Sequence, residues 1–266
     1  MRIITLGTSH GDTTPFRFNS SVAYETVDGR LYLIDAGAPV EALLRRQGLC
    51  LYDLRAVFIS HMHDDHAGGL TGLMKQTTKY PKDRPYPLSI YLPEEAAIEP
   101  LKLWFAAVHE KPDSPLLEYH AVNDGLVFED EYIRVSAIRT CHLRTKGRNE
   151  GDPCSFAYDL FFKKENLRVL HTSDLSASHT DFPAVAKEEY FDVCITEAVH
   201  QKPEVTMDNL MHSKFGQLIF THLGNRWQIN VGGKWEVQNG ERALLETYRD
   251  LPYPVRIAHD GDIFWF

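Results

Sequence analysis

No stretch of this 266-residue chain approaches the roughly 20 consecutive apolar residues of a membrane-spanning helix. The N-terminal run Met1–Gly7 is too short and too soon broken for a signal peptide. A cytoplasmic location without a membrane partner is the expectation. Cysteine is scarce: Cys50, Cys141, Cys154 and Cys194 are widely spaced, with no Cys-x-x-Cys pair, so neither a zinc knuckle nor a thioredoxin-type motif is present. They read as small buried hydrophobes in a reducing compartment. Positive charge is also short, with 28 Lys and Arg against 37 Asp and Glu and a net charge of −9. No basic tail or stripe offsets it, so nucleic acid is a disfavoured substrate, although a local basic pocket stays open. Linker-like and low-complexity segments are missing too, and the length allows one large domain or two small ones, with a sizeable core.

What is abundant is concentrated. The stretch Ser60-His61-Met62-His63-Asp64-Asp65-His66-Ala67-Gly68-Gly69 packs three imidazoles and two carboxylates into six residues. An apolar core would have to desolvate every one of them, and a loop rarely needs three histidines. A metal accounts for the density. Ala56–Ser60 reads as a buried strand, and His61 and His63, two apart at its end, fall on one side. The paired glycines then turn the chain into the apolar-periodic Leu70–Met74 segment, so the motif sits where a strand gives way to a helix. Zinc-like dications take imidazole nitrogen and carboxylate oxygen at roughly 2.0–2.2 Å, and four donors on one short turn can serve two ions.

His-x-His-x-Asp-His resembles the signature of the metallo-β-lactamase superfamily. The resemblance implies an α/β fold, a four-layer αββα sandwich, with a hydrolytic site for one or two metals. Strands are expected over Arg2–Leu6, over Val22–Val27 and Leu31–Asp35 as a hairpin around Asp28-Gly29, and over Leu88–Leu92. Two paired strands around Glu129-Asp130-Glu131, then Cys154–Phe162, Leu167–Thr172 and Asp192–Thr196, follow. Helices are expected over Pro39–Gln47, Pro93–His109 and Gly240–Leu251, with Val255–Phe264 as a closing hairpin. The expected arrangement is a single domain, 1–266, of two similar β/α halves meeting near residue 140.

The later motifs each follow an apolar strand: His142, Ser173-Asp174 and Thr221-His222. By resemblance, His61, His63 and His142 hold one metal, Asp65, His66 and His222 hold the other, and Asp174 bridges. Zinc is the expected ion, with manganese or iron as alternatives. Asp35-Ala36-Gly37 resembles the superfamily's first motif, which implies that Asp35, with Ser60, orients the metal loop; a helix cap for Pro39–Gln47 is its alternative role. Wider phrases, Asn19-Ser20-Ser21, Glu197-Ala198-Val199-His200, His212-Ser213 and Thr221-His222-Leu223, are similar to the ribonuclease Z and phosphodiesterase branch, without the long Gly/Pro-rich arm with which ribonuclease Z grips tRNA. That branch implies a dinuclear hydrolase in which metal-bound hydroxide attacks, with Asp65 in the catalytic set and His212 or His200, aided by Glu197, protonating the leaving group; a pocket-lining or surface position is the alternative for His212. A small or cyclic phosphodiester is the leading substrate. A lactone or thioester hydrolase is the alternative, and a non-catalytic metal-binding or sensing protein the third reading; a homodimer is left open. His10 reads equally as a pocket residue or a surface turn, His171 as core or as support behind the metal ligands, His179 as surface, and Arg226-Trp227 as a substrate contact or packing.

Overall fold

The computed structural model describes residues 1–12, 14–79, 85–143, 154–224, 227, 229–231 and 234–266, the side chains of 229–231 and 234–239 excepted. Arg226 therefore lies outside the described residues. The chain lays down β1 (Arg2–Gly7), β2 (Ser21–Glu25), β3 (Leu31–Ile34), α1 (Val40–Arg46), β4 (Leu54–Phe58), α2 (Asp64–Ala67), α3 (Leu70–Lys79), β5 (Leu88–Leu92), α4 (Ile98–Ala107) and β6 (Leu117–Ala121). It continues through β7 (Gly125–Glu129), β8 (Ile133–Thr140), β9 (Ser155–Phe162), β10 (Leu167–His171), α5 (Val185–Glu188), β11 (Val193–Ala198), α6 (Pro203–Met211) and β12 (Leu218–Leu223). Last come β13 (Ile229–Val231), β14 (Lys234–Glu236), α7 (Val237–Thr247), β15 (Val255–Ile257) and β16 (Asp262–Trp265).

Two sheets of seven strands result, ordered β16-β1-β2-β3-β4-β5-β6 and β15-β12-β11-β10-β9-β8-β7. Side chains alternate between the faces of a strand, so each core strand feeds two layers. Ile3, Tyr32, Phe58, Val169 and Ile195 meet in one cluster between the sheets. Their neighbours Ile4, Leu31 and Val57 point the other way and pack with Leu44 of α1, Leu73 of α3 and Phe105 of α4. On the second sheet, Leu170 and Cys194 pack outward with Ala186, Leu210 and Leu244 from α5, α6 and α7. Strands buried on both faces carry continuous apolar runs, and helices cover the outer faces. The expected αββα sandwich is what forms.

The chain passes from the first sheet to the second between Ala121 and Gly125. Two expectations need correction. Val255–Phe264 is not a hairpin, because β15 extends the second sheet beside β12 while β16 pairs with β1 in the first. The link between them clasps both sheets: Ala258 N–H donates to Phe220 O at 2.8 Å and Gly261 N–H to Thr5 O at 2.6 Å. Finally, only Cys194 of the four free cysteines is buried; Cys50 is exposed and the other two are half-buried.

Candidate metal centre

Strand direction gathers the candidate residues. β3 and β4 run parallel, as do β10, β11 and β12, while β8 and β10 are each antiparallel to β9 and so share a direction. The residues that follow β3, β4, β8, β10 and β11, together with His222 near the end of β12, therefore arrive at one rim of the sandwich, where sites on such sheets form. Asp35, Ser173 and His222 all turn there with positive φ, at 61°, 51° and 50°. Non-glycine residues held in this sparsely populated region at the ends of core strands mark a backbone shaped by the site and not by packing alone.

His61, His63 and His142 bring one ligand atom each to a common spot, and Asp65, His66 and His222 do the same beside it, each set within 4.8 Å. His61 Nε2 lies 2.9 Å from His63 Nδ1, and His142 Nε2 lies 3.5 Å from that same atom. Donors about 2.0–2.1 Å from a shared tetrahedral ion stand on the order of 3.3 Å apart, so these spacings suit a common cation. Asp174 sits between the two sets. Its Oδ2 is 3.9 Å from His61 Nε2, 3.6 Å from His142 Nε2, 3.6 Å from His66 Nε2 and 3.3 Å from His222 Nε2. One carboxylate oxygen central to both sets is the position a bridging ligand needs.

Buried polar atoms at the centre test the fit of a cation. Asp174 Oδ1 and His66 Nε2 are buried without a hydrogen-bond partner among the described residues, a cost that a bound cation would remove. Burial would raise the Asp174 carboxyl, but His222 and His66 outweigh it and hold the group well below the usual range. Burial likewise pushes the Asp65 carboxyl up, and the His66 imidazole, its Nε2 3.4 Å away, brings it below its ordinary value. His61 and His142 are lowered by burial, which leaves their nitrogens free to ligate. His66 differs: burial lowers it, while Asp35 and Asp174 pull it well above its ordinary value, so taking up a cation there releases a proton.

Behind these candidate ligands, Asp35 accepts from Ser60 N–H at 2.7 Å and Ser60 Oγ at 3.0 Å and pairs with His66 Nδ1 at 2.7 Å. Asp35 thus fixes the ring orientation of His66, as a metal ligand's partner does; among the described residues α1 has no side-chain cap, and its leading residue is Pro39. Glu197 accepts from Leu175 N–H and Gln201 Nε2, both at 2.7 Å, and from His200 N–H at 2.9 Å. The same carboxylate meets His200 Nδ1 at 2.7 Å. Burial lowers His200, but this Glu197 bond overrides it and the imidazole ends above its ordinary value. His200 Nδ1 stands 3.7 Å from Asp174 Oδ2 and its ring centroid 4.5 Å from that of His142.

His212 does not join this group. Its side chain is 65% exposed and its contacts are with Asp208, one helical turn back at the end of α6. The His-Ser phrase follows a helix, and the helix terminus, not the rim, decides where it points. His10 is buried rather than on a surface turn, lies 3.5 Å from Asp12, and is lowered first by burial and then by His222. His179 is buried as well, with Asn209 Nδ2 at 2.9 Å from its Nδ1. His171 is buried; its Nδ1 meets Tyr24 Oη at 2.8 Å, and burial brings it down to about 4.

One supporting residue had no local signal. Asp181 accepts from Cys141 N–H at 2.6 Å, Ser176 N–H at 3.0 Å and Ser176 Oγ at 2.7 Å. It thereby ties the residue before His142 to the loop after Asp174, across a sequence separation that no motif spans.

The family model described as Anti-Pycsar protein Apyc1 matches residues 1–230. Among curated relatives, the ribonuclease Z of Leuconostoc mesenteroides is 28% identical over 144 residues, 53% of this chain and 45% of that protein. The chain thus spans less than half the length of this relative. The metallo-β-lactamase fold protein YhfI from Bacillus subtilis superposes with a TM-score of 0.73 at 20% identity, covering 99% of this chain and 98% of YhfI. The short form of human tRNase Z, ELAC1, gives 0.72 at 20% identity, covering 100% of this chain and 99% of ELAC1. A pattern shared from residue 1 through β13, on a metallo-β-lactamase sandwich of ribonuclease Z-like build, places the chain in the family of the Anti-Pycsar protein Apyc1.

Proposed function

We propose that this chain is a metal-dependent hydrolase of phosphodiester bonds that works with two divalent cations on a small or cyclic phosphodiester. The observation that carries the reading is Asp174 Oδ2, within 3.3–3.9 Å of imidazole nitrogens from both ligand sets. Only a carboxylate has oxygens enough to face two cations while offsetting their charge. His61, His63 and His142 would hold one ion and Asp65, His66 and His222 the other, zinc being the first choice for this nitrogen-rich set. When bound, such a pair supplies Lewis acidity and a water of lowered pKa at neutral pH.

The chain's own residues supply the rest. Asp35 and Ser60 hold the His66 ring in register. Glu197 fixes His200 Nδ1 at the edge of the cluster, 3.7 Å from Asp174, and raises the imidazole above its ordinary value against the pull of burial, the direction that favours donating a proton to a leaving alkoxide. His200 is therefore the proton donor in this reading, and the exposed His212 is not. The net charge of −9 favours a small substrate over a polyanion. Metal-quantified protein assayed on nucleoside cyclic phosphates, lactones and thioesters separates the choices. Cleavage of the cyclic phosphates is the expected result; turnover confined to lactones or thioesters, or none with metal bound, would overturn it.

A further inference from the structure

The loop between Thr8 and Ser20 is fastened in an unusual way. Arg17 turns inward and is buried, donating to Thr8 Oγ1 at 2.5 Å, Ala258 O at 2.6 Å and Glu241 Oε1 at 2.6 Å. Thr14 Oγ1 accepts from Arg17 N–H at 3.2 Å, and Phe18 N–H donates to Asp260 Oδ2 at 2.5 Å. Between these fastenings the two aromatic neighbours of the arginine stay out: Phe16 is 54% exposed and Phe18 41%. A loop this firmly held could have turned a phenylalanine into the core. Instead it buries a guanidinium, whose desolvation must be met by three acceptors, and presents two rings to solvent.

The rings border a cleft of about 390 Å³, lined also by Pro15, Asn19 and Ala38, within the roughly 300–1,000 Å³ span of small-molecule sites. The cleft adjoins the metal centre. Asn19 packs on Gly37, where an added Cβ would meet Asn19 Cβ at 2.6 Å and Asp65 O at 2.3 Å. Ser20, the next residue, lines the same small cavity as His66, Asp174 and His222. At the loop's other end, a Cβ on Gly11 would stand 3.5 Å from Asp65 Oδ2.

We propose that Phe16 and Phe18 are the stacking platform for the base of a nucleotide substrate whose phosphate lies at the metal ligands. The inference rests on the phosphodiester reading and assigns the residues that would hold the base. Every base has a π-face that an exposed ring can hold, and Asn19 at the cleft wall carries both a donor and an acceptor for a base edge. A second copy of the chain is the competing occupant, and the test separates it.

Steady-state kinetics on a nucleoside cyclic phosphate and on the base-free ribose cyclic phosphate are compared for wild type and for Phe16→Ala/Phe18→Ala. The expected result is a rise in KM of about five- to a hundredfold for the nucleotide, with kcat within about twofold and the base-free substrate unaffected. Phe16→Tyr and Phe18→Tyr keep the wild-type KM. An unchanged nucleotide KM, or an equal change for both substrates, overturns the platform. So does a wild-type oligomer that the double variant dissociates, in sedimentation, without a change in KM. Should wild type cleave neither substrate, the phosphodiester reading fails by itself. Calorimetric binding of a nucleoside monophosphate to wild type and double variant then decides the platform: weaker binding to the variant supports it and equal binding overturns it.

Discussion

Replacing Asp181 with alanine removes a carboxylate that no motif marks but that joins two ligand-bearing loops. Three donors lose their acceptor: Cys141 N–H, Ser176 N–H and Ser176 Oγ. Hydrogen bonds to a charged group contribute about 1.5–3 kcal/mol each when measured singly. Asp181 is only half-buried, so water reaches part of what is exposed. A loss of about 2–4 kcal/mol follows, which for a chain of this size lowers the melting temperature by roughly 5–10 °C. The sharper effect is on metal affinity. Cys141 is the residue before His142, so on the two-cation reading loss of this acceptor lets His142 shift from His61 and His63, and an ion held by these three should bind about 10–100-fold more weakly. Competition with a chromophoric chelator on metal-stripped protein reads this directly, with one of two affinities falling. Asp181→Asn, which keeps one acceptor oxygen, falls between. A metal-stripped Asp181→Ala protein that melts within about 1 °C of wild type and binds both ions unchanged would refute the clamp.

Three further outcomes follow from the geometry. Asp35→Ala leaves Ser60 N–H and His66 Nδ1 buried without their acceptor; a loss of about 2–5 kcal/mol in chemical denaturation is expected, and an effect under about 1 kcal/mol would contradict the orienting role. His200→Ala should lower turnover about 10²–10⁴-fold with metal content unchanged by atomic emission, whereas His212→Ala should leave turnover alone; the reverse pattern would restore His212 as the donor. His259 and Glu241 give a pH-dependent term away from the centre. The Glu241 bond raises His259, while Glu241, pushed up by burial, is brought down by His259. Stability from a raised histidine is complete below its unfolded pKa and disappears as pH rises through its folded one. Wild type should therefore lead His259→Gln in melting temperature at pH 6 and lose that lead by pH 9. Because the His259 side chain is half exposed, the lead is worth less than about 1 kcal/mol; a lead that grows with pH would contradict the pairing.

Much of the centre is legible in the sequence because its residue types are chemically demanding and each follows an apolar strand. His61, His63 and His66 stand together in the chain, and Asp174 and His222 come at the ends of runs whose burial on both faces is plain from composition. The layers are legible for a similar reason, since alternation assigns Ile3 and Ile4 to opposite faces without reference to any partner. What stays hidden is partnership over distance. Short runs such as Val255–Ile257 state that they are strands but not which sheet they join. Asp260 reaches Thr8, and Asp181 reaches Cys141, by contacts that leave no periodicity behind. His212 stands apart from the cluster because its phrase falls at the C-terminal end of a helix, where it contacts Asp208 one turn back, a placement the phrase alone does not reveal.

The most direct test of the two-cation reading is metal stoichiometry and cyclic-phosphodiester turnover measured on the same preparations of wild type and Asp174→Ala. The expected result is about two ions per wild-type chain with cleavage, and in Asp174→Ala a loss of metal together with at least a thousandfold loss of turnover, on the order of 4 kcal/mol in the barrier. A single ion per active chain, or an Asp174→Ala protein that keeps its metal and its rate, would contradict it.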